Sequence, residues 1–346
     1  MRKLASIQKI WKIEPIEGAD RIELAHVLGW QCVVNKGQFK EMDDAVYFEV
    51  DSFLPIKPEF EFLRTSSYKV SPILGEGFKL KTMKFKGQIS QGLLLPLSTF
   101  DIIPTSDNHI GTDVTEFLGV RKWVEEERAT TGGTVIGGLP YDIPKTDETR
   151  VQAQPELIQE FAGINYYIST KCDGSSHSIS LDENGFHATG HNYEYKDDGK
   201  SSFYEWIKKN NIEEKVRKYC FETNIKTLTI QGEFCGAGIQ KNPLRLQTPD
   251  WFVFTVRING ERVGLDLMKI VCCALELKTV PIEEEGFDLP SEYPTVESLL
   301  ERADGNYETG GKKEGIVVRP TKPQFSKIIS ASLSMKVVSN KYLLKK

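Results

Sequence analysis

No stretch of this chain approaches the ~18 consecutive apolar residues that a membrane-spanning helix needs, which excludes a helical membrane protein. There is little cysteine: the 6 present (Cys32, Cys172, Cys220, Cys235, Cys272 and Cys273) show no CxxC spacing. That excludes a zinc ribbon or a disulfide framework, and they read as reduced intracellular thiols. Met1-Arg2-Lys3-Leu4-Ala5-Ser6-Ile7 runs straight into strand-like sequence and is expected to be strand rather than a signal peptide. Nor is there an excess of basic charge: 44 Lys and Arg against 49 Asp and Glu leave a net charge of −5. Any contact with nucleic acid must therefore be local rather than spread over the surface. What is present is an ordinary globular composition, 39% hydrophobic and 27% charged, over 346 residues. A chain of that length exceeds one small core and predicts two domains.

Residues 1–120 read as a β-rich domain. Strands are expected over residues 4–13, 21–27, 30–34, 45–50 and 77–86, with turns at residues 15–20 and at Asn35-Lys36-Gly37. Short strands with turn signals every 8–12 residues or so predict a small barrel or sandwich. Lys79, Lys81, Lys84 and Lys86 interleave with Phe78, Leu80, Met83 and Phe85. A regular strand puts Lys79 and Lys81 on one face and Lys84 and Lys86 on the other, so either a bulge lies near Thr82 or the basic stripe is split. These lysines line either a solvated barrel wall or an RNA-facing groove. Residues 121–145, with Glu125-Glu126-Glu127, Gly132-Gly133 and Gly137-Gly138-Leu139-Pro140, have linker composition, and residues 146–346 form the second domain.

The second domain turns on Lys171-Cys172-Asp173-Gly174. Apolar and β-branched residues precede it and the alternation Ser178, Ile179, Ser180, Leu181 follows. The lysine thus sits at a strand-to-turn junction, with a carboxylate two residues on and a glycine to let the chain turn tightly. Helices are expected over residues 156–161 and 201–219, the latter broken at Asn210-Asn211. Asp266 is expected to cap a helix carrying Leu267, Ile270, Val271 and Leu275, and Thr295 another that ends at Asp304-Gly305. Thr227, Thr229, Gln231 and Glu233 share a face of what is either a site-building strand or a wet edge. Residues 251–256 read as a buried strand, with Asn259-Gly260 closing a hairpin. Glu314 and Gly315 stand at a strand entrance. Residues 332–338 turn Leu333, Met335 and Val337 to a core and Ser332, Ser334 and Lys336 away from it; taken alone, Lys336 would be a solvated sheet lysine.

Six segments occur in order: KCDG, GHNYE, QGEFCG, DWFVFTV, KEGIVVR and SMKVVS. They resemble motifs I, Ia, III, IIIa, IV and V of the covalent nucleotidyltransferases, which comprise ATP-dependent RNA and DNA ligases and mRNA capping enzymes. GADRIEL and KFKGQISQGL resemble OB-fold modules that bind tRNA and other RNA. DNA ligases and capping enzymes carry their OB domain after the nucleotidyltransferase domain. An OB domain in front, together with KTDETRVQ, resembles the Naegleria-type RNA ligases over nearly the whole chain. The resemblance implies an α+β protein, an N-terminal OB-fold β-barrel followed by an antiparallel-sheet, ATP-grasp-like nucleotidyltransferase domain.

It also implies a monomeric RNA ligase that joins RNA 3′-OH and 5′-phosphate ends. Lys171 would attack the α-phosphorus of ATP, expel pyrophosphate and become a lysyl-adenylate. A free lysine titrates near pH 10.4, so its neutral form at pH 7 costs roughly 4–5 kcal/mol. Nearby positive charge, from Lys336 and a divalent cation, would lower that cost and neutralise the α-phosphate in the transition state. By the same resemblance Asp173, Glu233 and Glu314 hold Mg²⁺ or Mn²⁺, through its waters. Phe254 stacks on adenine, the Thr170 backbone reads its edge, and Gly174 and Asn192 belong to the ATP site. Arg150 holds the pyrophosphate end or an RNA phosphate. By residue type alone Phe254 fits a core, and a lone arginine such as Arg150 is more often a salt-bridge partner. The chain departs from the pattern at His191, where the superfamily usually has Arg, at Ser334, where many relatives have Lys, and at Thr255, where relatives often have Asp. A DNA ligase, a capping guanylyltransferase and a non-catalytic RNA-binding module are the other readings.

Overall fold

The computed structural model describes residues 2–102, 109–124, 133–140 and 143–344. The chain divides into two units, Met1–Glu126 with Gln152–Pro155 and Leu343–Lys346, and Glu127–Val151 with Glu156–Tyr342.

In the first unit a five-stranded antiparallel sheet runs in the order Leu93–Pro96, Asp44–Phe48, Ala5–Pro15, Ile22–Val27, Trp30–Asn35. The long strand Ala5–Pro15 pairs with Asp44–Phe48 through Ala5 to Lys9, then with Ile22–Val27 from Ile10 onward. Its register shifts between Ile10 and Lys12, and such a bulge bends a strand so that one element serves both halves of a curved sheet. A second sheet orders Arg121–Lys122, Ser52–Leu54, Gly75–Lys79, Tyr68–Ser71. Neighbouring residues feed two cores: Val46 and Phe48 pack with Leu54, Phe60 and Phe78, while Tyr47 packs with Trp30, Val34 and Leu94. The strand expected over 77–86 is interrupted. Met83–Phe85 pairs with Gln88–Ser90 as a separate hairpin, turned by positive φ at Lys86 and Gly87. The basic stripe is therefore split rather than carried through a bulge.

The second unit holds two main sheets, of eight and five strands. One runs Val135–Gly138, Tyr193–Tyr195, Gly185–Thr189, Ser175–Asp182, Leu228–Cys235, Asp250–Ile258, Glu261–Arg262, with Lys278–Thr279 parallel to Asp250–Ile258. Leu228–Cys235 is internal, so its polar face is not a wet edge. The other runs Thr149–Arg150, Met335–Val338, Gly315–Pro320, Asn165–Lys171, Ile282–Phe287. Leu228, Ile230, Trp251, Phe203 and Phe234 build the core of the first sheet; Ile168, Ile316, Val318, Met335, Val337 and Leu299 build that of the second. Part of the stretch expected to be linker is strand, Arg121–Lys122 in one unit and Val135–Gly138 in the other; residues 125–132 and 141–142 of it lie outside the described residues.

The expected helix break is present between Ser202–Lys209 and Ile212–Thr223, with Asn211 left-handed at φ 52°. Thr295 caps Val296–Ala303 in a capping box with Ser298. Asp266 does not cap its helix. Gly264 precedes Leu265–Ala274, and the buried face is Leu265, Met268, Val271 and Cys272, leaving Leu267 and Ile270 in solvent. An apolar run on all sides hid which stripe faces the core. Among the described residues no helix is long and apolar enough to cross a membrane.

Candidate active site

Both sheets of the second unit contribute to one cavity. It is lined by Thr146, Asp147, Glu148, Ser169, Thr170, Lys171, Cys172, Ser176, His191, Glu233, Phe254, Val280, Val317, Arg319 and Lys336. Lys171 is the last residue of its strand, paired with Gly315, the first residue of the neighbouring one. Its side chain is 25% exposed and Nζ donates to Glu314 Oε2 at 2.8 Å. Burial pulls the ammonium towards its neutral form, but the negative charge of Glu314, Glu233 and Asp173 outweighs burial and holds its pKa above the ordinary lysine value. The sequence reading expected positive charge to lower it; in the protein alone carboxylates face the amine and the shift is the reverse. Burial, with Glu314 and Asp173 close by, pushes the Glu233 carboxyl up to about 8 against the pull of Lys171. A group of carboxylates around the Lys171 amine suits a hydrated divalent cation. Among the described residues no three His, Cys, Asp or Glu side chains stand close enough to hold a metal ion directly.

Gly174 is explained by crowding, not by a tight turn. Its φ is not positive, and a Cβ there would lie 2.4 Å from the Phe234 carbonyl oxygen and 2.6 Å from Cys235 Sγ. Its N–H donates to Glu233 Oε1 at 3.1 Å, tying the turn after Lys171 to the carboxylate strand. Asp173 does not line the cavity; its carboxylate accepts from the Tyr342 hydroxyl at 2.5 Å. The Thr170 N–H is already donated to Pro281 O at 2.8 Å, and its hydroxyl to Glu283, which also accepts from Lys313 and Arg302.

Lys336 sits in the cavity wall, opposite Val317 in the sheet, so it is not a solvated sheet lysine. Arg150 is its register partner on the parallel edge strand, but neither Arg150 nor Asn192 is among the lining side chains. His191 lines the cavity with Nε2 3.7 Å from Asp147 Oδ2.

The other two departures from the motif pattern meet at a residue that sequence reasoning did not single out. Arg319 is 4% exposed and donates to Ser334 Oγ at 3.3 Å, to Thr255 Oγ1 at 3.4 Å, to the Phe254 carbonyl and to Glu148. Its guanidinium carbon lies 5.5 Å from the centroid of the Phe254 ring. Burial alone would raise the Glu148 carboxyl, but Arg319 and then Arg262 bring it down to about 2. An arginine closing the apolar run Ile316-Val317-Val318 was the one available signal, since a buried strand accepts a charge only where a partner waits.

A model of the RNA ligase family matches residues 164–338, and a model of an OB-fold domain matches residues 4–97. Among solved structures, the chain is similar to Naegleria gruberi RNA ligase with PPi, at 32% identity and TM-score 0.86, covering 99% of this chain and 98% of that one. It is similar to a lysine-to-methionine mutant of the Naegleria gruberi enzyme with AMP and Mn, at 31% identity and TM-score 0.88, covering 100% and 99%. It is likewise similar to a lysine-to-alanine mutant with ATP and Mn, at 30% identity and TM-score 0.87, covering 99% of each chain. No curated protein matches.

Proposed function

The chain belongs to the RNA ligase family and carries an OB-fold domain in front, and from that premise we propose how its own residues seal RNA. It is an ATP-dependent RNA ligase, joining 3′-OH and 5′-phosphate ends through lysyl-AMP and RNA-adenylate intermediates. The observation that carries this reading is the convergence of Lys171, Glu233, Phe254 and Lys336 on one cavity.

Lys171 Nζ is the nucleophile towards the α-phosphorus of ATP, with pyrophosphate leaving. Before it can attack, it must leave Glu314 and shed a proton. Lys336, on the cavity wall, meets the negative α-phosphate and stabilises the charge that develops there. Phe254 offers its ring to adenine, and Arg319 donates to the Phe254 backbone carbonyl. With its N–H committed to Pro281 O, Thr170 would read the base edge through its carbonyl rather than its N–H. Arg150 and Asn192 serve the phosphates and the ribose from just outside the cavity. Asp173, Glu233 and Glu314 are the residues that would hold Mg²⁺ or Mn²⁺ through its waters. When bound, that cation supplies positive charge that lowers the Lys171 pKa and offsets phosphate charge. In the second and third steps AMP passes to an RNA 5′-phosphate, and a 3′-OH displaces it.

We take residues 1–120 as the OB-fold domain and residues 146–346 as the nucleotidyltransferase domain, and the enzyme as a monomer that acts inside a cell. The test is sealing of RNA against DNA ends, each with ATP and with GTP. Joining of RNA with ATP is expected. Joining of DNA alone, or labelling by GTP alone, would move the protein to a DNA ligase or a capping enzyme.

A further inference from the structure

The ladder that joins the Lys171 strand to the Glu314 side of the site ends at the pair Lys171 and Gly315. Beyond that rung, a side chain takes over from the backbone. The Tyr307 hydroxyl donates to the Lys171 carbonyl at 2.9 Å and accepts from the N–H groups of Asp173 and Glu314, each at 3.1 Å. A phenolic hydroxyl has one donor and two acceptor sites, so all three are used, and they bind the backbones of the nucleophile and two carboxylates to one oxygen. The oxygen is fixed from behind. Tyr307 is 8% exposed, among Cys172, Cys235, Leu244 and Val280. Its own backbone is locked in a tight loop, its N–H donating to Gly311 O at 2.7 Å and its carbonyl accepting from Gly310 at 2.8 Å. A Cβ on Gly311 would lie 1.7 Å from Pro243 O, so this loop is pressed against its neighbour and has little freedom to drift.

Taking the RNA ligase reading as given, we propose that Tyr307 is a positioning residue for lysyl-AMP formation, setting the separation of Lys171 from Asp173 and Glu314. It touches neither nucleotide nor RNA; it acts through the backbone of the residues that do. Small misplacements of a nucleophile are costly to the chemical step and much less so to substrate binding. A group that merely supports the fold would depress every step together.

The test uses the full chain with Tyr307→Phe, which keeps the ring and removes the oxygen. The single-turnover rate of lysyl-AMP formation is expected to fall roughly 10- to 100-fold. KM for ATP should stay within about threefold, because the lost contact acts on the attack rather than on binding. Sealing of pre-adenylylated RNA, which does not need Lys171 to attack, should fall less. Lysyl-AMP formation at the parent rate would overturn the proposal, as would an equal loss in both steps. Amide hydrogen exchange on the parent serves if the variant does not fold: slow exchange at both Asp173 and Glu314 is expected, and fast exchange at both overturns the assignment. A parent protein that forms no lysyl-AMP would instead remove the RNA ligase reading, and leaves the exchange result standing.

Discussion

Lys171 faces carboxylates, and that shapes what single substitutions should do. Lys336 supplies positive charge in the cavity wall, so Lys336→Ala should slow lysyl-AMP formation on the order of 10²-fold. Single-turnover labelling within about threefold of the parent would take Lys336 out of the chemistry. Glu148 and Arg319 form a pair that is 18% and 5% exposed. Removing one partner strands the other, so Glu148→Gln should cost about 3–5 kcal/mol in urea unfolding. Because the folded Glu148 carboxyl lies at about 2, below its ordinary 4.5, the pair's stabilisation is complete above that ordinary value and is lost as pH falls towards 2. The stability gap between parent and Glu148→Gln should therefore narrow as pH is lowered from about 5 to about 3; a constant gap would mean the pair is not what Gln disrupts. The sequence made Lys171, Glu233, Phe254 and Lys336 legible, because their motifs fix residue type and order. It left Tyr307 and Arg319 unseen, since their partners lie up to 136 and 171 positions away and no local pattern encodes such meetings.

At the scale of elements, close approach of strands sets which positions tolerate a side chain. A Cβ on Gly315 would stand 2.0 Å from Val337 O, in the ladder that leads into Glu314. Gly315→Ala should lower the melting temperature and abolish lysyl-AMP formation together. Gly137→Ala, with nothing within 4 Å on an edge strand, should leave both unchanged. Equal behaviour of the two variants would contradict the packing argument. The elements that sequence pattern read well were those with explicit punctuation: the Asn210-Asn211 break, the Thr295 cap, the Asn259-Gly260 hairpin. Where punctuation was missing, pattern failed. Leu265–Ala274 is too apolar for its inward stripe to stand out, and Leu80 to Thr82 gave no sign that the strand stops. Gly174 looked like a turn glycine and proved to be a packing one.

Across the whole molecule the net charge is −5, so RNA must be gripped by local clusters. Lys81, Lys84 and Lys86 are all exposed in the N-terminal unit and are the candidates there for contact with RNA rather than with ATP. Replacing the three with Ala should weaken RNA binding and flatten its salt dependence by about one unit of slope per lost phosphate contact, while labelling by ATP stays at the parent level. An unchanged salt slope would return these lysines to a solvated barrel wall. The most direct measurement is covalent labelling. Parent and Lys171→Met are each incubated with Mg²⁺ or Mn²⁺ and α-labelled ATP or GTP and run on a denaturing gel. A label from ATP on the parent alone is predicted, with Lys171→Met still sealing pre-adenylylated RNA. A Lys171→Met protein that labels as strongly as the parent would contradict the assignment of the nucleophile.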